Sequence, residues 1–140
     1  MAVVLALVVG LIAWTLLHLP TSLAEYQFRT RLAGIANSGQ PRVTLASLFP
    51  SSEWELACES HGYDGDLYLK KYNRTYPSAA PPQDGVWGLI FIGPDGSYTP
   101  VVGSCNRGGA MVRLGGCAPR TATLVLQVRG SVCPEYAGEG

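Results

Sequence analysis

The first twenty residues, Met1 to Pro20, are apolar almost without interruption, and no charged side chain appears before Glu25. A helix rises ~1.5 Å per residue, so a run of this length matches the ~30 Å of hydrocarbon in a bilayer. Residues 2–19 are therefore the expected membrane segment. Two forms of it compete, an uncleaved anchor and a signal peptide. Ser22-Leu23-Ala24, followed by Glu25 and preceded by the helix-breaking Pro20, meets the small-x-small requirement of a cleavage point after Ala24. Three segments follow from this reading: an anchor or signal peptide over 1–24, a membrane-proximal helix and linker over 25–40, and a folded domain over 41–140. Within the second, Phe28, Leu32 and Ile35 recur at helical spacing and predict an amphipathic helix over 25–36.

Two observations pull the address in opposite directions. The basic residues nearest the apolar run, Arg29, Arg31 and Arg42, all follow it, which by the positive-inside rule would keep the domain in the cytoplasm. Four cysteines in a small domain, without metal-ligand spacing, suit an oxidising compartment instead. The cysteines favour export. The rest of the composition bounds the function class. Ten basic residues balance ten acidic ones, and the only basic pair is Lys70-Lys71, so no cluster suited to phosphates is present and no nucleic-acid partner is expected.

Periodicity predicts an α+β domain, a four-stranded antiparallel sheet covered by one or two short helices. Val86 to Ile92 is a continuous apolar run, the pattern of a strand buried on both faces. Gly93-Pro94-Asp95-Gly96 supplies a turn, and residues 97–102 return as its partner. A second strand pair is expected at 110–114 and 121–128, the latter alternating Ala122, Leu124, Leu126 and Val128 on one face. Pro100 cannot donate to a ladder and belongs at an edge. That favours the order 97–102, 86–92, 121–128, 110–114. Glu53, Glu55 and Glu59 after a Ser51-Ser52 cap predict a helix over 53–59 with Trp54, Ala57 and Cys58 inward, and a second short helix is expected over 66–72. Residues 77–85, rich in proline and small side chains, read as an exposed loop, and residues 37–41 as a shorter break.

Four cysteines allow three pairings. With the strands running as above, Cys105 and Cys117 fall at opposite ends of the sheet, beyond the ~7 Å Cα limit for a bond. Cys58–Cys117 and Cys105–Cys133 form the consistent set.

Candidate chemistry is thin. Glu59 and His61 are the parts of an acid–base pair, within a polar cluster that also holds Glu53, Glu55, Asp64 and Asp66. His61 is the only histidine beyond the leader and zinc spacings are missing, so neither a metal nor a cofactor is expected. Asn73-Arg74-Thr75 fits a glycosylation sequon, and Gly108-Gly109 and Gly115-Gly116 suit turns better than a phosphate loop. Tyr63, Tyr68, Tyr72 and Tyr76 are the stronger lead, because tyrosine buries area at protein interfaces while keeping a polar tip.

The segment Phe49 to Cys58, with Gly62-Tyr63 and the later Trp87 to Phe91, resembles small bacterial exported or membrane-anchored proteins that share a Trp-x-x-x-Cys helix and an aromatic strand. That resemblance implies a bacterial inner-membrane address with the domain in the periplasm, or a secreted domain if cut after Ala24. It brings no activity with it. A long apolar helix with a proline near position 20, an antiparallel sheet and a C-terminal cysteine also looks like a type IV pilin or pseudopilin, though Leu5 stands where that family carries glutamate. The expectation is thus a non-enzymatic, membrane-anchored envelope protein whose exported domain binds a protein partner. The alternatives are a pilin-like assembly subunit and a small hydrolase using Glu59 and His61.

Overall fold

The computed structural model describes residues 1–18, 23–51, 53–105, 110–127 and 133–139, with the backbone alone at 15–18. Pro20, Ser22, Ser52, Gly108-Gly109 and Val128, each used in the sequence reading, lie outside the described residues. Helix α1 covers Ala2–His18, and α2 covers Leu23–Ser38. The side chains of α1 described up to Trp14 are exposed on every side. Among the described residues, no helix is long and apolar enough to cross a membrane; of the span expected over 2–19, the apolar helix Ala2–His18 is described.

Helix α2 is longer than the expected 25–36, and it is no spacer. Phe28 and Leu32 on its inner face are fully buried, and the Phe28 ring meets Trp87 edge-on at 5.8 Å and Phe91 at 5.5 Å. The break around residue 40 therefore does not separate this helix from the domain.

Two four-stranded sheets and a hairpin make up the rest. Strand β1 (Arg42–Thr44) leads into the short α3 (Leu45–Leu48), where the Thr44 hydroxyl accepts from the Ser47 amide as an N-cap. Then come β2 (Leu56–Glu59), β3 (Leu67–Leu69), β4 (Arg74–Tyr76), β5 (Val86–Ile92) and β6 (Tyr98–Ser104). The last four are β7 (Met111–Arg113), β8 (Cys117–Pro119), β9 (Thr123–Gln127) and β10 (Glu135–Gly138). The first sheet has the order β6-β5-β2-β8 and is antiparallel throughout; the second has the order β1-β9-β10-β7, with β10 parallel to β7. The expected four-stranded antiparallel sheet is thus present with different members. The β5–β6 hairpin and the edge position of Pro100 hold, but β2 is the other neighbour of β5 and β9 belongs to the second sheet. There β10 separates β9 from β7, the strands expected to pair directly.

Both expected domain helices give way to strands. Residues 56–59 pair with β5 on one side and β8 on the other, so two ladders of backbone hydrogen bonds override the modest helix preference of Glu, Ala and Leu. Residues 66–72 split into β3 and a 3-10 turn. Leu67 and Leu69 pack inward and Tyr68 points out, a period of two that a helix cannot satisfy.

Strand β5 organises the core. Trp87, Leu89 and Phe91 face α2, α3 and the second sheet, where Leu45, Leu48, Val112, Leu124 and Tyr136 join one cluster. Ile90 and Ile92 face the other way and meet Cys58 and Tyr76 beneath the β3–β4 hairpin. Cys58 and Cys117 stand directly opposite on β2 and β8, with Cα atoms 4.0 Å apart, and are bonded. This bridge joins neighbouring strands rather than a helix to the end of a sheet. Cys105 and Cys133, 5.5 Å apart at Cα, form the second bond, which ties the end of β6 to the chain entering β10. No cysteine is free, an arrangement suited to an oxidising, extracytoplasmic setting.

The free edge of β6 is closed by side chains from α2. Glu25, almost wholly buried, accepts the Val102 amide at 3.3 Å, and Arg29 Nε donates to the Val102 carbonyl at 2.6 Å. The two side chains also pair with each other at 3.5 Å, four residues apart. Outward-facing backbone alternates along an antiparallel edge, so two residues earlier it is Pro100 whose nitrogen faces out, where no donor is needed.

Gly103 lies against the indole of Trp87, and a Cβ there would overlap the ring. Gly103→Ala is expected to lower unfolding free energy by about 1–3 kcal/mol, the usual range for overpacking a core. Gly34→Ala, on an open face of α2 with nothing within 4 Å, is expected to raise it by up to about 1 kcal/mol. Urea midpoints of the two variants check the pair.

Candidate functional site

The two candidate regions lie on either side of the 3-10 turn Gly62–Asp64 that follows β2. At its start, Glu59 ends β2 and His61 precedes the turn. Both line a shallow depression of about 270 Å³ together with Ser60, Asp64, Asp66 and Gly116. His61 Nε2 lies 3.4 Å from Glu59 Oε2. The fold therefore brings Glu59 and His61, the acid–base candidates, together. The carboxylate is already engaged, however, because Glu59 Oε1 accepts the amide hydrogen of Leu114 just beyond β7. Ser60, the hydroxyl beside them, is buried and accepts from the Ala79 amide at 2.8 Å. Glu59 thus ties the first sheet to the second, as Glu25 ties α2 to β6. Among the described residues no group of three or more His, Cys, Asp or Glu side chains could hold a metal ion.

The four tyrosines separate into two roles. Tyr76 is fully buried, and its hydroxyl donates to the Gly96 carbonyl at 2.9 Å, at the turn of the β5–β6 hairpin. Its ring meets Tyr98 edge-on at 5.2 Å and Tyr72 at 6.4 Å, while the Arg74 guanidinium sits over both Tyr76 and Tyr98. Tyr72 is half-buried and donates to Glu55 at 2.7 Å; Lys71 reaches the same carboxylate oxygen at 2.6 Å. These bonds, the Lys71 contact foremost, hold the Glu55 carboxyl below its ordinary range. Burial, then the bond to Glu55, pushes the Tyr72 phenol up. Tyr76 is enclosed and Tyr72 half-buried, and both fasten the β3–β4 hairpin over Ile90 and Ile92.

Tyr63 and Tyr68 stay outside, 67% and 57% exposed. Each is nevertheless held at its tip. The Tyr63 hydroxyl donates to Asp84 at 3.2 Å, across the proline-rich loop, and the Tyr68 hydroxyl donates to Asn73 at 3.0 Å, across its own hairpin. Partial desolvation, then the nearby Asp84 charge, raises the Tyr63 phenol above its usual value. Asn73 itself adopts the left-handed conformation, φ 47°, that closes the β3–β4 turn, which accounts for that residue without a glycan.

The sequence reading missed Glu25, Arg29, Arg74 and Tyr98. Glu25 and Arg29 had a legible signal in their i, i+4 spacing on a helix, though not their target at Val102. Arg74 and Tyr98 had none, since their stacking depends on pairing between distant strands. Comparison with protein-family models, curated proteins and solved structures returns no match.

Glu59→Ala leaves the Leu114 amide without its acceptor and is expected to cost about 1–3 kcal/mol of stability, whereas Glu59→Gln, which keeps an acceptor, costs less. His61→Ala is expected to stay within about 0.5 kcal/mol of the parent. Chemical denaturation of the three variants checks the order; a larger loss at His61 than at Glu59 would reverse the assignment of roles.

Proposed function

We propose that the protein is a non-enzymatic envelope component, held at a membrane by α1, whose disulfide-stapled domain presents Tyr63 and Tyr68 to a protein partner in an oxidising compartment. One observation carries the partner reading. Beyond residue 26, the only exposed large hydrophobic side chains among the described residues are these two tyrosines. Their hydroxyls are tied while their rings face solvent, so docking on them immobilises little further side-chain freedom. The membrane reading is supported by α1, where the Val and Leu side chains between residues 3 and 11 are exposed to water. Hydrocarbon is the solvent that removes them from water.

Retention of α1 fits the packing better than its removal. The peptide bond after Ala24 lies in the first turn of α2, Ala24 packs against the core, and Glu25 is buried on Val102. Cutting there would create an ammonium group at the positive end of α2, an unfavourable placement worth about 0.3–1 kcal/mol. The hydrolase alternative is disfavoured because Glu59 is committed to Leu114. A pilin-like assembly subunit remains the second reading, favoured by one feature: an amphipathic helix that follows the apolar one and packs on the antiparallel sheet.

A photo-crosslinking residue placed at position 63 or 68 of the membrane-held protein is expected to give one discrete adduct with a second protein. That adduct should be lost in Tyr63→Ala/Tyr68→Ala while the melting temperature stays near that of the parent. No adduct from either position would refute the partner reading. A ladder of self-adducts would favour the assembly subunit.

A further inference from the structure

The exposed apolar surface is concentrated at one end of the chain. Apart from Tyr63 and Tyr68, every exposed large hydrophobic side chain described lies between Met1 and Tyr26. Most belong to α1. The last two, Leu23 and Tyr26, belong to the first turn of α2 and are 72% and 54% exposed. Three residues apart, they neighbour each other on the helix surface, on the side away from Phe28 and Leu32. After Tyr26 the same outer surface turns polar, with Gln27, Thr30 and Arg31 exposed. Arg31 has no ion-pair partner among the described residues.

Single exposed hydrophobic residues are ordinary on protein surfaces. A pair at helical spacing that follows an exposed apolar helix in sequence after only four residues, and gives way to polar side chains within one turn, has a direction. Its end members suit a boundary, since tyrosine places an apolar ring in the acyl region and a hydroxyl among headgroups. Arginine about one turn further on is within reach of lipid phosphates, which it binds by charge-assisted hydrogen bonds.

Resting on the reading of α1 as membrane-held, we infer that the first turn of α2 also contacts lipid, with Leu23 and Tyr26 in the headgroup–acyl boundary. The domain then sits flush on the bilayer, its N-terminal turn as a foot, rather than swinging from a tether. Its orientation is fixed because α2 is locked to the sheet by Phe28, Leu32 and the Glu25–Arg29 contacts with Val102.

The test uses the full chain with both disulfides intact, reconstituted in phosphatidylcholine–phosphatidylglycerol vesicles with and without brominated acyl chains. A bimane probe is attached at a single introduced cysteine: Leu7→Cys, Leu23→Cys, Tyr26→Cys, Gly34→Cys or Tyr68→Cys. Bromolipid is expected to quench the position 7 probe strongly, to lower positions 23 and 26 by about twofold, as boundary depth requires, and to leave 34 and 68 unchanged. Quenching at 7 with none at 23 or 26 overturns the inference and leaves the membrane reading of α1 standing. That is also the pattern expected if a second copy of the chain covers Leu23 and Tyr26. No quenching at position 7 removes the membrane reading and the inference together.

Discussion

Strand β5 carries large apolar side chains on both faces, and neither face is stable in water. Trp87, Leu89 and Phe91 point one way and Ile90 and Ile92 the other, all essentially buried. Burying side chains of this size is worth about 1.5–3 kcal/mol each, so the five together rival the whole net stability of a small domain. The rest of the architecture supplies two covers for one strand. Helix α2, α3 and the second sheet close the aromatic face, and the β3–β4 hairpin closes the isoleucine face. The tyrosine, arginine and glutamate contacts around Tyr72 and Tyr76 make sense as the fastening of that second cover, and Tyr63 and Tyr68 as what is left outside it.

Because α2 is a cover, it cannot also be a loose connector. Its Glu25–Arg29 pair serves a second need at the same place, since an uncovered edge strand offers unpaired backbone to any passing chain. Val102 is occupied by α2, Pro100 has no donor to offer, and the edge is closed without a further strand. The same economy recurs at Glu59, which satisfies Leu114 across the sheets. In a chain with few charges, Glu25 and Glu59 each accept a backbone amide hydrogen from a distant segment.

What was legible in the sequence follows physical locality. The seven-residue apolar run, its glycine turn and the proline of the returning strand are contiguous, and the β5–β6 hairpin follows them closely. The helical spacing of Phe28 and Leu32 was equally readable. Residues 56–59 were not: four residues carry too little periodicity to tell helix from strand, and only pairing with two distant strands decides the matter. Strand β10, Glu-Tyr-Ala-Gly, has one strong β-former and enters the second sheet through that pairing alone. At the candidate site, sequence proximity grouped four tyrosines, but their burial depends on which face of the hairpin each occupies. Tyr76 pairs opposite Leu67 and turns inward with it, while Tyr68 alternates outward.

The claim on which the account turns is that α2 is built into the domain through the edge of β6, and amide hydrogen exchange at Val102 tests it most directly. If Glu25 holds that amide, Val102 exchanges as slowly as the ladder amides between β5 and β2, and Glu25→Ala releases Val102 while those ladder amides stay protected. Free exchange of Val102 in the unaltered protein, or unchanged protection in Glu25→Ala, would contradict it.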